Sequence, residues 1–192
     1  MKAEYKNAKL SKKKICSAYL NLLVNKGKSF TVTDIVKLTN INRGTFYLHY
    51  SSIKDVEQAI EEDLANNFKS LERDFRQVEI DKSPEIIVKK LNEILSKDLD
   101  YYKLLIKAKD STYLIDKIKN YLFKSISNNF MIMRYVMNYE NFKIIVQYIV
   151  SGVLDTYIDW FKGNINCTLE ELSAILCKII KGGLRGYLSY AY

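Results

Sequence analysis

The chain is 192 residues long and 48% hydrophobic, enough to bury a substantial core in one large or two small domains. One Pro and seven Gly exclude a sandwich or a linker-rich chain in favour of long helices. Eleven basic side chains against two acidic ones fall in residues 1–54, a net +9, whereas the remaining 138 residues carry 19 basic and 20 acidic, a net −1. The whole excess charge of +8 therefore belongs to the first 54 residues, as expected for a phosphate-binding footprint attached to a near-neutral body.

Apolar runs are too short for a membrane. The longest candidate, Ile144 to Leu154, is interrupted by Gln147 and followed by Asp155. The first thirty residues are dotted with lysines and hold no apolar stretch ending in small residues, so no secretory signal is read there. Cys16, Cys167 and Cys177 are odd in number and lie in helical patterns, which predicts reduced, packed thiols in a cytoplasmic protein with no metal site.

In chain order, Met1 to Leu10 is expected to be a polar, poorly ordered arm. From Ser11, Ile15, Ala18, Tyr19, Leu22 and Leu23 recur at helical spacing up to Gly27. Thr31 and Asp34 form a capping box, with Phe30 and Ile35 as the accompanying staple, so a short helix starts at Val32. It stops in Thr39-Asn40-Ile41-Asn42, where one Asn tolerates a left-handed backbone and the next suits a helix cap. The helix begun at Asn42 turns Phe46 and Tyr50 to the core and leaves Arg43, Gly44, Thr45, Tyr47 and His49 on its other faces. Two capped helices joined by a tight turn make a helix-turn-helix, a motif whose second helix enters the major groove. Arg43 is the candidate for base readout, a guanidinium fork suiting a guanine edge, and Thr45 for a base or its methyl. His49 has no nucleophile or orienting carboxylate in reach of sequence, so the chain is not read as an enzyme and no cofactor is expected.

These residues resemble the TetR family of transcriptional regulators over roughly Ser11 to Ile60. The family's Thr-rich start and Ile-Val pair are matched by Thr31, Thr33, Ile35 and Val36, and its reading helix by Arg43-Gly44-Thr45-Phe46-Tyr47-Leu48-His49-Tyr50. Two departures occur. Thr39-Asn40 stands where the family usually has Ala-Gly, and Ile53 stands where it often has a phosphate-contacting lysine, the nearest being Lys54. The resemblance implies phosphate contacts from Thr33, Tyr47 and His49, with Lys54 and the N-terminal lysines supplying charge.

Ser51 or Ser52 caps a long helix with Val56, Ile60, Leu64, Phe68, Leu71 and Phe75 along one stripe, the natural connector between two parts. Its Glu57, Glu61, Glu62 and Asp63 read as a solvated face. Pro84 marks another start, and helices are expected over Glu85 to Ser96, Leu99 to Lys109 and Thr112 to about Asn128. Aromatics and methionines gather between Tyr101 and Met137, as ordinary core or as the lining of a small-molecule cavity; Tyr101, Tyr102, Phe123, Met133 and, further on, Tyr148 are the candidates. Phe142 to Phe161 and the last helix, capped by Thr168 and Glu171, are apolar on more than one face. That excess predicts a two-fold interface built from Val153, Tyr157, Trp160, Leu176, Ile180 and Leu184.

The expected architecture is all-α: residues 1–54 a three-helix, helix-turn-helix DNA-binding domain and residues 55–192 a helical ligand-binding and dimerisation domain. The resemblance implies a homodimer on a pseudo-palindromic operator in double-stranded DNA, a repressor released by a small-molecule effector. The alternative is a co-regulator of the same fold that acts through a protein partner and has no effector pocket.

Overall fold

A computed structural model describes residues 2–75, 83–108, 112–127 and 139–189. Among the described residues the regular structure is helical throughout, with no strand. Helix α1 spans Lys2–Lys26, α2 Val32–Thr39, α3 Arg43–His49, α4 Ile53–Phe75, α5 Ser83–Ser96, α6 Leu99–Lys107, α7 Thr112–Ser127, α8 Tyr139–Lys162 and α9 Leu169–Ser189. The chain divides into two units, one of Met1–Leu64 with Asp100–Leu114, the other of Ala65–Leu99 with Ile115–Tyr192.

The first helix is longer than its sequence pattern suggests. Residues 2–10, expected as a disordered arm, continue α1 without a break. They contain no Gly or Pro and are mostly good helix formers. Extending a helix already nucleated by the apolar stripe further on needs no second nucleus. Gly27, at φ 61°, ends the helix in the left-handed region, its amide bonding Leu23 O at 3.0 Å.

Within this unit α1 packs on α2 and α3. Ile15, Leu20, Ile35, Phe46, Val56 and Ile60 are essentially inaccessible to solvent, so α1, the two short helices α2 and α3, and the start of α4 share one core. Phe30 joins it edge-on to Tyr19, ring centroids 5.4 Å apart. Cys16 Sγ lies 3.5 Å from the Tyr50 hydroxyl, and burial pushes both groups' pKa up, so the thiol is packing and not a nucleophile.

The second unit is organised by α8 and α9. Helix α8 buries Phe142, Val146, Val150, Val153, Leu154, Tyr157 and Phe161, a stripe at three- and four-residue spacing. Helix α9 buries Leu169, Leu172, Leu176 and Ile180 and packs against α5. A polar tie crosses this core: the Tyr157 hydroxyl donates to Asn92 Oδ1 at 2.6 Å, the Asn92 amide donates to Ser173 Oγ, and Ser173 donates to Leu169 O at 2.5 Å. Burial pushes the Tyr157 pKa up to about 12, which keeps it a neutral donor. Lys119 pairs with Asp155 at 2.7 Å and links α7 to α8. Glu171 accepts from the Thr168 amide at 2.8 Å while Thr168 Oγ1 accepts from the Glu171 amide at 3.1 Å, the expected capping box of α9. No helix among the described residues is long and apolar enough to cross a membrane.

Candidate nucleic-acid interface

Helix α2 begins as the sequence requires. The Asp34 carboxylate reaches back to accept from the Thr31 amide at 2.8 Å and the Thr31 hydroxyl at 2.7 Å, and Lys26 Nζ sits 2.9 Å from its other oxygen. The Lys26 contact, then the two Thr31 bonds, hold the Asp34 pKa far below the usual carboxylate range. A depressed pKa means a contribution to stability that is present above the unfolded value of about 3.9 and is lost as pH falls below it towards the folded value. Asp34→Asn is therefore expected to lower the melting temperature at neutral pH, with the difference shrinking below about pH 4, as thermal unfolding across pH would show.

The turn between the two helices rests on two asparagines with different jobs. Asn40 closes α2 at φ 53° and ψ 38°, a left-handed conformation that Asn tolerates better than most side chains. Asn42 opens α3: its Oδ1 accepts from the Thr45 amide at 2.6 Å and from the Thr45 hydroxyl at 2.9 Å. Phe46 is fully buried and Tyr50 nearly so, their rings 6.1 Å apart, which fixes the rotation of α3 about its axis. Helix α4 then starts on another carboxylate cap, with Asp55 accepting from the amides of Ser51 and Ser52 at 2.9 and 3.1 Å.

That rotation decides where each candidate side chain goes. Arg43 is exposed at the first position of α3, and its guanidinium donates to Thr33 Oγ1 at 2.6 Å, so the two candidates from α2 and α3 meet. Thr33 Oγ1 accepts the hydrogen bond from Arg43, which leaves the Thr33 hydroxyl hydrogen for another acceptor. Gly44 is exposed one residue on; a Cβ there would lie 3.3 Å from Asn42 Oδ1, the atom that caps the helix. Thr45 is half-buried with its hydroxyl turned back into that cap. Tyr47 is 54% exposed and edge-on to Phe46 at 5.4 Å, an outward phenol on a fixed base. His49 is half-buried, and burial first and the charge of Lys12 second lower its pKa, so it is a neutral imidazole near pH 7. Lys54 is exposed at the second position of α4. Sequence reasoning passed over Leu48, which is 80% exposed on the same helix.

The pocket candidates are divided between the two units. Tyr101 and Tyr102 are buried edge-to-face in the first unit, centroids 5.6 Å apart, while Phe123 is half-buried and Tyr148 77% exposed in the second. Met133 lies outside the described residues.

The interface candidates split differently. A groove of about 820 Å³ runs between α8 and α9 and is lined by Val153, Leu176, Ile180 and Leu184 of the six, together with Tyr148 and Ile179. Ile144, Tyr148 and Ile179 stand 68, 77 and 61% exposed along it, an unusual apolar display. Tyr157 does not reach this face: it is 2% exposed and bonded to Asn92 inside its own unit. Trp160 is half-buried, its indole N–H donating to Cys167 O at 2.7 Å across the α8–α9 loop. Apolar periodicity could not separate these two from the groove residues, because their partners are polar atoms elsewhere in the chain.

Residues 82–182 match the family model of a TetR-type transcriptional regulator C-terminal region. No curated protein sequence matches the chain. Among solved structures, the chain is similar to a Clostridium perfringens protein named as a fatty acid metabolism regulator, at 15% identity and a TM-score of 0.66, covering 88% of this chain and 97% of that one. A fatty acid degradation regulator from Bacillus halodurans superposes with a TM-score of 0.64 at 15% identity, covering 91% and 96%. A TetR transcriptional regulator from Streptococcus agalactiae shares 24% identity with a TM-score of 0.52, covering 93% and 97%.

Proposed function

The chain belongs to the TetR family of transcriptional regulators, and on that premise we propose that α3 reads the major groove of a two-fold DNA operator. The observation that carries this reading is the junction of α2 and α3, where Arg43 is exposed, capped in place by its helix and braced on Thr33 within the segment of net charge +9. A guanidinium fork held before binding loses less freedom on contact with a base edge, and guanine O6 and N7 are its natural partners. Thr33, Tyr47 and His49 are assigned to phosphates: each has a hydroxyl or imidazole N–H to donate, and none needs a particular base. Lys54 and the lysines of α1 supply further charge, so residues 1–54 form the DNA-reading part and residues 55–192 the regulatory and dimerising part.

The groove between α8 and α9 is proposed as the homodimer face, because a second copy related by a two-fold axis would cover its exposed isoleucines and tyrosine and would present a second α3 to the operator. Repression, with release by a small-molecule effector, completes the proposal. In physical terms the effector must bind the DNA-free arrangement more tightly than the bound one. Helix α4, which begins in one unit and ends in the other, is the connector through which such a preference would pass.

The phosphate assignment has a direct test in the salt dependence of duplex binding. Affinity is expected to fall with rising salt at a slope of roughly 0.9 per phosphate neutralised. Tyr47→Phe is expected to weaken binding about equally on every sequence, leaving the order of preferred sequences intact. Salt-independent binding, or a changed base preference in the phenylalanine variant, would count against it.

A further inference from the structure

We infer that Leu48 is a specificity-determining residue that reads the 5-methyl group of a thymine in each half-site, an assignment that rests on the DNA-reading role proposed for α3. The argument starts from the rotation of the helix. Phe46 and Tyr50 are 0 and 8% exposed and define its inward side. At about 100° per residue, the position diametrically opposite their bisector is Leu48, with Gly44 about 40° to one side and Thr45 about 60° to the other. Leu48 is accordingly 80% exposed, more than any other large apolar side chain among the described residues.

Its neighbours leave it at the crown of the helix. Gly44, one turn earlier on the same side, has no side chain to hold a partner surface away. Thr45 turns its hydroxyl back to Asn42 Oδ1 at 2.9 Å, so its polar atom is spent on the cap. Tyr47 lies on the flank, about 100° round from Leu48, and Arg43 about 140° round, drawn towards Thr33. The outermost part of a helix in the most cationic segment of the chain is thus apolar.

Two facts choose the occupant. The net charge of +9 over residues 1–54 fits a polyanion and repels a basic partner, and one leucine at the crown of a seven-residue helix offers too little area for a protein interface. Among base edges in the major groove, the thymine methyl is the apolar group, and contact with a hydrocarbon side chain is how it is distinguished from cytosine.

The test uses the full chain and duplexes bearing its selected operator, with each thymine in turn replaced by uracil, which differs by that methyl alone. For the wild type, replacing that thymine in one half-site is expected to weaken binding about fourfold, and about sixteenfold when both half-sites carry the replacement, from one methyl's worth of burial at each. Leu48→Ala, at so exposed a position, is expected to keep the fold and to bind the thymine and uracil duplexes equally. Leu48→Met, which keeps an apolar reach, should retain part of the discrimination. Sequence-preferring binding that ignores every uracil replacement, or full methyl sensitivity in Leu48→Ala, would overturn the Leu48 assignment while leaving the DNA-reading role standing. Failure of the wild type to prefer any duplex sequence would overturn both.

Discussion

Ile179→Glu is expected to convert the protein from dimer to monomer and to lower its affinity for a two-half-site duplex by at least a hundredfold. Ile179 is 61% exposed on α9 and lines the α8–α9 groove, so a carboxylate there is solvated in the isolated subunit and changes its stability little. In a two-fold interface the same carboxylate would be buried, with its symmetry mate close by, against Ile144, Tyr148 and Leu176. Among the described residues no basic side chain lines the groove to pair with it. Loss of the second reading head removes the effective concentration that joins two weak contacts, a factor of about 10² to 10⁴. Sedimentation equilibrium gives the first result and titration of full and half operators the second. Affinity for an isolated half-site should be unchanged, which separates loss of pairing from loss of fold. A variant that stays dimeric would move the interface elsewhere.

Arg43→Ala is the second large effect. A bidentate contact to guanine discriminates by about 1–3 kcal/mol, so the variant should lose roughly tenfold to a hundredfold on the preferred operator. The loss should fall on one base position, where all four bases become nearly equivalent, with other positions unaltered. Arg43 is exposed and its side chain bonds to Thr33 on α2, so the core around Phe46 stays intact. A uniform loss on all sequences would reassign Arg43 to the phosphate backbone.

Much of the first unit was legible in sequence because its signals are local. The caps at Thr31, Asn42 and Ser52, the left-handed Asn40 and the inward pair Phe46 and Tyr50 depend on residues within four positions of one another, and each takes its expected place. The extent of α1 was not, because a lysine-rich segment reads as a solvated arm until it is attached to a helix that continues it. Leu48 escaped attention because a helix-turn-helix is searched for polar readers, and its exposure follows from the rotation of α3 and not from its type. In the second unit Tyr157 carries the lesson most clearly. Its periodicity on α8 is that of an interface residue, yet its hydroxyl is held by Asn92, 65 positions earlier in the chain, and such a partner leaves no trace in local pattern. The aromatic-rich stretch from Tyr101 onward reads as ordinary core or a cavity lining, and the division of the chain places Tyr101 in one unit and Tyr148 in the other.

The central claim is that α3 reads DNA as one of a symmetric pair. Selection of bound sequences from a pool of random duplexes by the full chain tests it most directly. An inverted repeat is expected, its half-sites centred about one helical turn of duplex or more apart, with a guanine that disappears from the selected pool when Arg43→Ala is used. A pool that stays random, or a single asymmetric site insensitive to Arg43, would contradict it.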